Sequence, residues 1–152
     1  KSPQELEELR AAGLGIVYHG MESGDDGVLD EIVKGGTAAE CVDTAKKLRN
    51  AGIDHSVIVL LGIGGVARSE AHARNTAKVL TQMDPPFVGA LTTTVLPGTP
   101  LFTAQEEGRF ELPGKFRLLE ELRTLVAESH FSRCRFSLSA SSLSCASLRG
   151  LA

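Results

Sequence analysis

Two stretches carry residue types whose chemistry goes beyond packing. The first is Gly15-Ile16-Val17-Tyr18-His19-Gly20-Met21-Glu22-Ser23-Gly24, where a short apolar run ends in a carboxylate, a hydroxyl and a glycine. A carboxylate accepts hydrogen bonds from paired hydroxyls, and a serine hydroxyl both donates and accepts. The carboxyl end of a parallel strand is where α/β proteins place ligand contacts. The plainer alternative is that Glu22 and Ser23 only tie down a strand-to-helix turn. The second stretch is Gly62-x-Gly64-x-x-Ala67, after a strand and before a helix, which matches a relaxed dinucleotide fingerprint. Two features count against that match. Ser69 reads as the helix cap, so the helix starts after the glycines. The next acid, Asp84, stands before the following strand, whereas a ribose-binding acid belongs at that strand's end. A turn that approaches a flat ligand closely, because glycine has no Cβ, is the simpler reading.

The histidines, His19, His55, His72 and His130, include no pair at metal-ligand spacing. His19 alternates along a strand; His55 and His130 read as surface residues. The cysteines are Cys41, Cys134 and Cys145, with no C-x-x-C pair. That speaks against a disulfide framework and a local zinc or iron–sulfur site, and for a reducing, cytoplasmic location.

The elements that must position these groups alternate along the chain. Ser2-Pro3-Gln4-Glu5 is a capping box that starts a helix, and Gly13 ends it. A strand over about 14–20 follows, then a helix from about Asp26 to Val33, capped by Ser23 or Asp25. Thr37-Ala38-Ala39-Glu40 is a second capping box. Its helix turns Cys41, Ala45 and Leu48 inward, so Cys41 reads as a core thiol. Ile53 to Leu61 is the strongest strand, apolar enough to be buried on both faces. A helix from Ser69 to about Met83 follows, with Asp84-Pro85-Pro86 as its stop. Phe87 to Leu96 is a third strand, and Pro97-Gly98-Thr99-Pro100 a rigid loop. Thr103 to Glu111 reads as a short helix or extended connection. A last helix over 115–129 carries Phe116, Leu119, Leu122 and Val126 as its apolar stripe. From 132 to 152 serine is dense, and that segment reads as a loosely ordered tail.

Strands alternating with helices imply right-handed βα units and a parallel sheet. Three strands are few for a free-standing α/β domain, so the expected fold is part of a barrel or of a larger sheet, with residues 1–131 as the folded unit. The chain opens on Lys1-Ser2-Pro3-Gln4, already a helix start, and reads as cut from a larger protein. Its 42% apolar residues suffice for a core, while a net charge of −3 argues against nucleic acid as the main partner. No apolar run approaches the roughly 18 residues of a membrane span. Open strand edges favour self-association into a homo-oligomer.

Several of these stretches, in order, resemble the radical S-adenosylmethionine (SAM) enzymes. Tyr18-His19-Gly20-Met21-Glu22-Ser23-Gly24, then Val28-Leu29 and Lys34-Gly35-Gly36-Thr37, is similar to that family's "G-x-E-S-G … V-L … K-G-x-T" stretch. Ala51-Gly52-Ile53, Leu60-Leu61-Gly62-Ile63-Gly64-Gly65 and Leu96-Pro97-Gly98-Thr99-Pro100-Leu101 continue the likeness. The flavour is that of the oxygen-independent coproporphyrinogen oxidase-like branch of iron–sulfur oxidoreductases. The resemblance implies a partial TIM-type (β/α)6 barrel whose fourth, fifth and sixth strands lie here. It implies Glu22 and Ser23 near the ribose and methionine parts of SAM. It places Leu61, Gly62 and Ile63 against adenine, with Leu96 and Pro97 closing over the ring. It also implies a 4Fe–4S cluster held by C-x-x-x-C-x-x-C, a triplet this sequence does not contain. The expectation is therefore a SAM-binding half-barrel, inactive alone, acting on an unidentified small molecule. A nucleotide-binding α/β module using Gly62–Ala67 and a non-catalytic self-associating α/β piece are the alternatives.

Overall fold

The computed structural model describes residues 1–139; the rest of the expected tail lies outside the described residues. The order is α1 (Pro3–Ala11), β1 (Ile16–Glu22), α2 (Asp26–Glu31), α3 (Ala38–Asn50), β2 (Asp54–Leu61), α4 (Gly65–Met83), β3 (Phe87–Thr92), α5 (Pro100–Glu106), α6 (Lys115–Glu128) and β4 (Arg135–Ser139). Both capping boxes form: Ser2 with Glu5 starts α1, and Thr37 with Glu40 starts α3. The strands pair in parallel in the order β1-β2-β3-β4. The result is an α/β arc of βα units, part of a TIM-type barrel, with the sheet not closed.

Arg135–Ser139 departs from the sequence reading. That segment, expected as loose, pairs in parallel with β3, Val88 opposite Phe136 and Ala90 opposite Leu138. Phe136 and Leu138 alternate with serines, a half-buried strand pattern that the surrounding serine density obscures.

One face of the sheet carries the core. Met21 of β1, Val57, Val59 and Leu61 of β2, and Val88 and Ala90 of β3 pack with Ala45 of α3, Ala77, Leu80 and Met83 of α4, and Leu125 of α6. The other face is concave. Register places Tyr18, Ser56, Phe87 and Arg135 in one row, and Gly20, Ile58, Gly89 and Ser137 in the next. These rows line an open groove of about 380 Å³, where Tyr18 is 72% exposed. No described helix is long and apolar enough to cross a membrane.

α6 turns a different face inward than its apolar residues suggest. Phe116, Leu119 and Val126 are exposed, while Glu121 and Leu125 are buried. Leu118 and Leu122 pack against the core beside them. The true stripe, 118-121-122-125, has helical spacing but contains an acid. Leu125→Ala is therefore expected to lower the unfolding free energy by about 2–5 kcal/mol. Val126→Ala on the same helix should change it by no more than about 0.5 kcal/mol. Urea denaturation of both variants checks this; equal losses would contradict the packing described.

Candidate functional site at the carboxyl ends of the strands

β1 ends in a strained turn. Its pairing with β2 slips between Gly20 and Glu22, leaving Met21 as an inserted residue. Glu22 has φ 64, a left-handed backbone that costs a non-glycine residue roughly 1–2 kcal/mol. Lys34 Nζ donates to Glu22 Oε1 at 3.0 Å. A methyl group on Gly20 would collide with that carboxylate oxygen. Only glycine at position 20 lets the carboxylate fold over the strand. Gly20 and Lys34 line a pocket of about 190 Å³ with His19, Thr37 and Cys41, so the Glu22–Lys34 pair lies at the exit of β1 beside the start of α3.

The next three residues fasten this turn to α4. Ser23 is fully buried; its Oγ accepts the Asp25 N–H at 3.0 Å and lies 2.8 Å from His72 Nδ1. Gly24 lies against α4, where an added Cβ would be 2.6 Å from Thr76 Cα, and its N–H donates to Thr76 Oγ1 at 2.9 Å. Asp25 caps α2 through the Val28 N–H at 3.1 Å. It also accepts from Arg68 at 2.7 Å and Asn75 at 2.8 Å. Burial alone would raise the Asp25 pKa, but these hydrogen bonds outweigh it and hold the carboxyl below its ordinary value. Asp25, not Ser23, is the helix cap. Of Glu22 and Ser23, only Glu22 leaves its functional group partly exposed.

β2 ends in a turn held from behind. Leu61 is buried, and Ile63 packs with Val28, Leu101 and Phe110. The Gly62 N–H donates to Glu121 Oε2 at 2.6 Å, and Ser69 Oγ donates to Glu121 Oε1 at 2.6 Å. His72 Nε2 lies 3.9 Å from Glu121 Oε2. Burial pushes the Glu121 carboxyl up against the pull of those two donors. Burial also lowers His72 to about 4. No local motif singles out His72 or Glu121; the signal they leave in the sequence is an acid, and a histidine, at core spacing on otherwise apolar helix faces.

At β3's exit, the Thr93 N–H donates to Leu61 O at 2.9 Å, which joins the two strand ends. Leu96 and Pro97 follow, exposed. Their neighbour Val95 packs on the Ile63 cluster, so this loop belongs to the same rim. Glu22, Leu61, Gly62, Ile63 and the 93–97 loop thus share one end of the sheet, while Ser23 lies behind it.

The glycine turn departs from its reading. α4 begins at Gly65 with Gly64 as N-cap, not at Ser69, which lies inside the helix on Glu121. The helix therefore does start on the glycines, as a phosphate site requires. Its amides are already used, however. The Gly65 N–H donates to Gly62 O and the Val66 N–H to Glu111 O. Phe110 lies over Gly65, 3.0 Å from where a Cβ would stand. A phosphate here would meet a carbonyl and a buried carboxylate, so the geometry does not favour the nucleotide alternative.

A second polar group lies on the core side of the sheet. His55, expected at the surface, is buried because its position in β2 faces the helices. Its Nε2 is 3.1 Å from His19 Nδ1, and His19 Nε2 is 3.8 Å from Cys41 Sγ. Burial, then the neighbouring His19 and Arg49 charges, lowers His55 to about 4. Cys41 is half-buried rather than fully in the core, and burial raises its pKa. Among the described residues, no three His, Cys, Asp or Glu side chains converge to hold a metal ion. Cys41 lies on α3 and Cys134 just before β4, so these residues do not fit an iron–sulfur cluster.

An open arc of parallel βα units with a strained carboxylate and a glycine turn on its carboxyl rim defines a part-barrel with a rim site. The family model described as the Radical SAM superfamily matches residues 1–76, half of the 152-residue chain. The chain belongs to that superfamily. Among solved structures it is similar to the archaeal Methanocaldococcus infernus Elp3 with an N-terminal deletion, at TM-score 0.71 and 20% identity. The match covers 90% of this chain and 32% of that one, so the chain spans about a third of that protein's length. That likeness supports the fold alone. No curated protein matches.

The buried histidines make stability depend on pH. His55 and His72 titrate near 4 when folded and near 6.5 when unfolded. Between those values the unfolded chain binds more protons, so stability falls as pH falls through that window. Glu121 acts in the opposite sense, because its raised pKa favours the folded state on acidification. Asp25 and Asp84 are held below 3.8 and contribute only further down. Urea midpoints are expected to fall from pH 7.5 to pH 5, a loss of about 1–3 kcal/mol, with a smaller loss in His72→Gln. An unchanged or higher midpoint at pH 5 would contradict this.

Proposed function

We propose that this chain is the part of a radical SAM protein that receives the adenosine portion of SAM at the rim of β1, β2 and β3. The observation that carries the reading is Glu22. A left-handed glutamate at a strand bulge is a strained residue, and such strain clusters at ligand sites. Its carboxylate is laid over Gly20 and paired with Lys34, at the exit of β1. In this reading Glu22 accepts hydrogen bonds from the ribose hydroxyls. Adenine lies against the β2 exit at Leu61, Gly62 and Ile63, where the space left by the missing Cβ of Gly62 is filled by Leu118 of α6. The loop at Leu96 and Pro97 covers the ring. Ser23, bonded to His72, positions Glu22 instead of reaching the ligand. The motif order favours the coproporphyrinogen oxidase-like branch of cytoplasmic iron–sulfur oxidoreductases, acting on a small molecule.

In this superfamily bound SAM is the source of a 5′-deoxyadenosyl radical, with a 4Fe–4S cluster as its reductant. This chain's residues do not fit that cluster, so its part in the chemistry is to bind and orient the nucleoside end. Reconstitution with iron and sulfide is expected to leave the chain without a stoichiometric 4Fe–4S absorption; a full complement of cluster would contradict that.

Titration calorimetry with SAM is expected to give weak, saturable heat. Glu22→Gln should weaken binding at least about tenfold, the worth of a charge-assisted hydrogen bond. Absence of SAM binding, binding indifferent to Glu22→Gln, or preferential NAD(H) binding would each overturn the proposal.

A further inference from the structure

His19, His55 and Cys41 form a cluster to which SAM binding gives no part. Register sets His55 of β2 opposite Val17 of β1. His55 and His19 therefore lie two residues apart on the helix face of the sheet, under the first turn of α3, which carries Cys41. His19 Nδ1 is 3.1 Å from His55 Nε2, and the two rings stack with centroids 5.2 Å apart. His19 Nε2 is 3.8 Å from Cys41 Sγ. His55 is 3% exposed, and its Nδ1 has no hydrogen-bond partner among the described residues. Burying an imidazole with one nitrogen unpaired costs stability, and a native chain keeps such a group where it serves a site. His19 and Cys41 line the pocket of about 190 Å³ at the exit of β1, together with Lys34, Gly35, Gly36 and Thr37 of the α2–α3 connection.

The distance between the two donor atoms is that of two ligands on one metal. A metal about 2.3 Å from sulfur and about 2.0 Å from an imidazole nitrogen sets them roughly 3.5–4.3 Å apart, from tetrahedral to linear bond angles. The observed 3.8 Å falls inside that span without any backbone movement. Burial holds His19 below its ordinary pKa, so the ring is neutral at pH 7, as a ligand must be. With the hydrogen shared by the two rings on His19 Nδ1, Nε2 is bare toward Cys41. His55 is then the acceptor behind the ligating ring that fixes its orientation.

The donor set selects the metal. Among the described residues no third His, Cys, Asp or Glu joins the pair, whereas Zn(II) takes four ligands. The acids nearby are committed. Glu40 accepts the Thr37 N–H at 2.8 Å and its hydroxyl at 3.1 Å, and Glu22 is paired with Lys34. The Lys34 ammonium in the same pocket opposes an added divalent charge. One thiolate and one imidazole suit a soft monovalent cation.

We propose that His19 Nε2 and Cys41 Sγ form a two-coordinate site for Cu(I). On binding, a bond from sulfur and a bond from nitrogen form to copper, the thiol proton leaves to solvent, and copper keeps its oxidation state. One positive charge replaces another, so the pocket's net charge does not change beside Lys34. The site uses none of the residues that receive the nucleoside, and it stands or falls separately from SAM binding.

The test uses the 152-residue chain with Cys134 and Cys145 replaced by serine, which leaves Cys41 as its one thiol. Cu(I), supplied as its acetonitrile complex under argon, is titrated by calorimetry, and the complex is measured by X-ray absorption at the copper edge. One equivalent is expected, with one sulfur and one nitrogen on the metal. Cys41→Ser should abolish binding. His19→Gln should weaken it at least about tenfold, the loss that even an outer partner of a ligand brings, with circular dichroism unchanged. Absence of Cu(I) binding, or equal affinity in a folded His19→Gln chain, would overturn the proposal. So would two sulfurs on each copper, which mark a thiol from each of two copies, or tighter binding of Zn(II) than of Cu(I). The absorption spectrum of the histidine-bearing chain decides the matter should His19→Gln fail to fold.

Discussion

A carboxylate 2% exposed, Glu121, holds the carboxyl end of β2 in place. It accepts the Gly62 N–H and the Ser69 hydroxyl, and it faces His72, whose other nitrogen meets Ser23 at the end of β1. Two buried polar contacts, Glu121 with Gly62 and Ser69, and His72 with Ser23, thus stand side by side 3.9 Å apart behind the exits of two strands. Taking a carboxyl group out of water is costly, and each donor left unpaired in its absence would cost about 1–3 kcal/mol. The group can be there because it satisfies backbone and side-chain donors that the turn cannot satisfy itself. The strand exits are thereby fixed relative to each other before any ligand arrives.

That fixed support explains how β1 can end in a strained residue. Asp25 and Gly24 clamp the turn to α4, and the bulge at Met21 turns Glu22 back over Gly20. Strain of this kind persists only where surrounding contacts over-determine it. The helix side of the sheet supplies rigidity, the concave side carries the apolar groove, and the candidate rim stands at the carboxyl ends of the strands.

Much of this was legible in the sequence. The capping boxes at Ser2 and Thr37, the long β2 run and the terminator at Asp84-Pro85-Pro86 each carry a local physical signal, and each sits close to where it was expected. What was not legible depends on partners distant in the chain. Glu121 has no visible role until Gly62 and Ser69 come to it from about fifty to sixty residues away. His55 reads as exposed until register turns it toward the helices. Ser69 reads as a helix cap because nothing local shows that the helix begins on bare glycine, its amides taken up by Gly62 and Glu111 carbonyls. β4 was hidden by serines whose alternation with Phe136 and Leu138 has meaning only beside β3.

The central claim is that the rim of Glu22, Gly62 and Ile63 is a nucleoside-binding edge held ready by buried contacts. Backbone amide chemical shifts of the nitrogen-15-labelled chain, followed as SAM is added, test it residue by residue. Saturable shifts are expected at Glu22, Gly62 and Ile63, with the Gly62 signal already ordered before addition. Shifts confined to the groove between α4 and α6, or none at the three rim amides at saturating SAM, would contradict it.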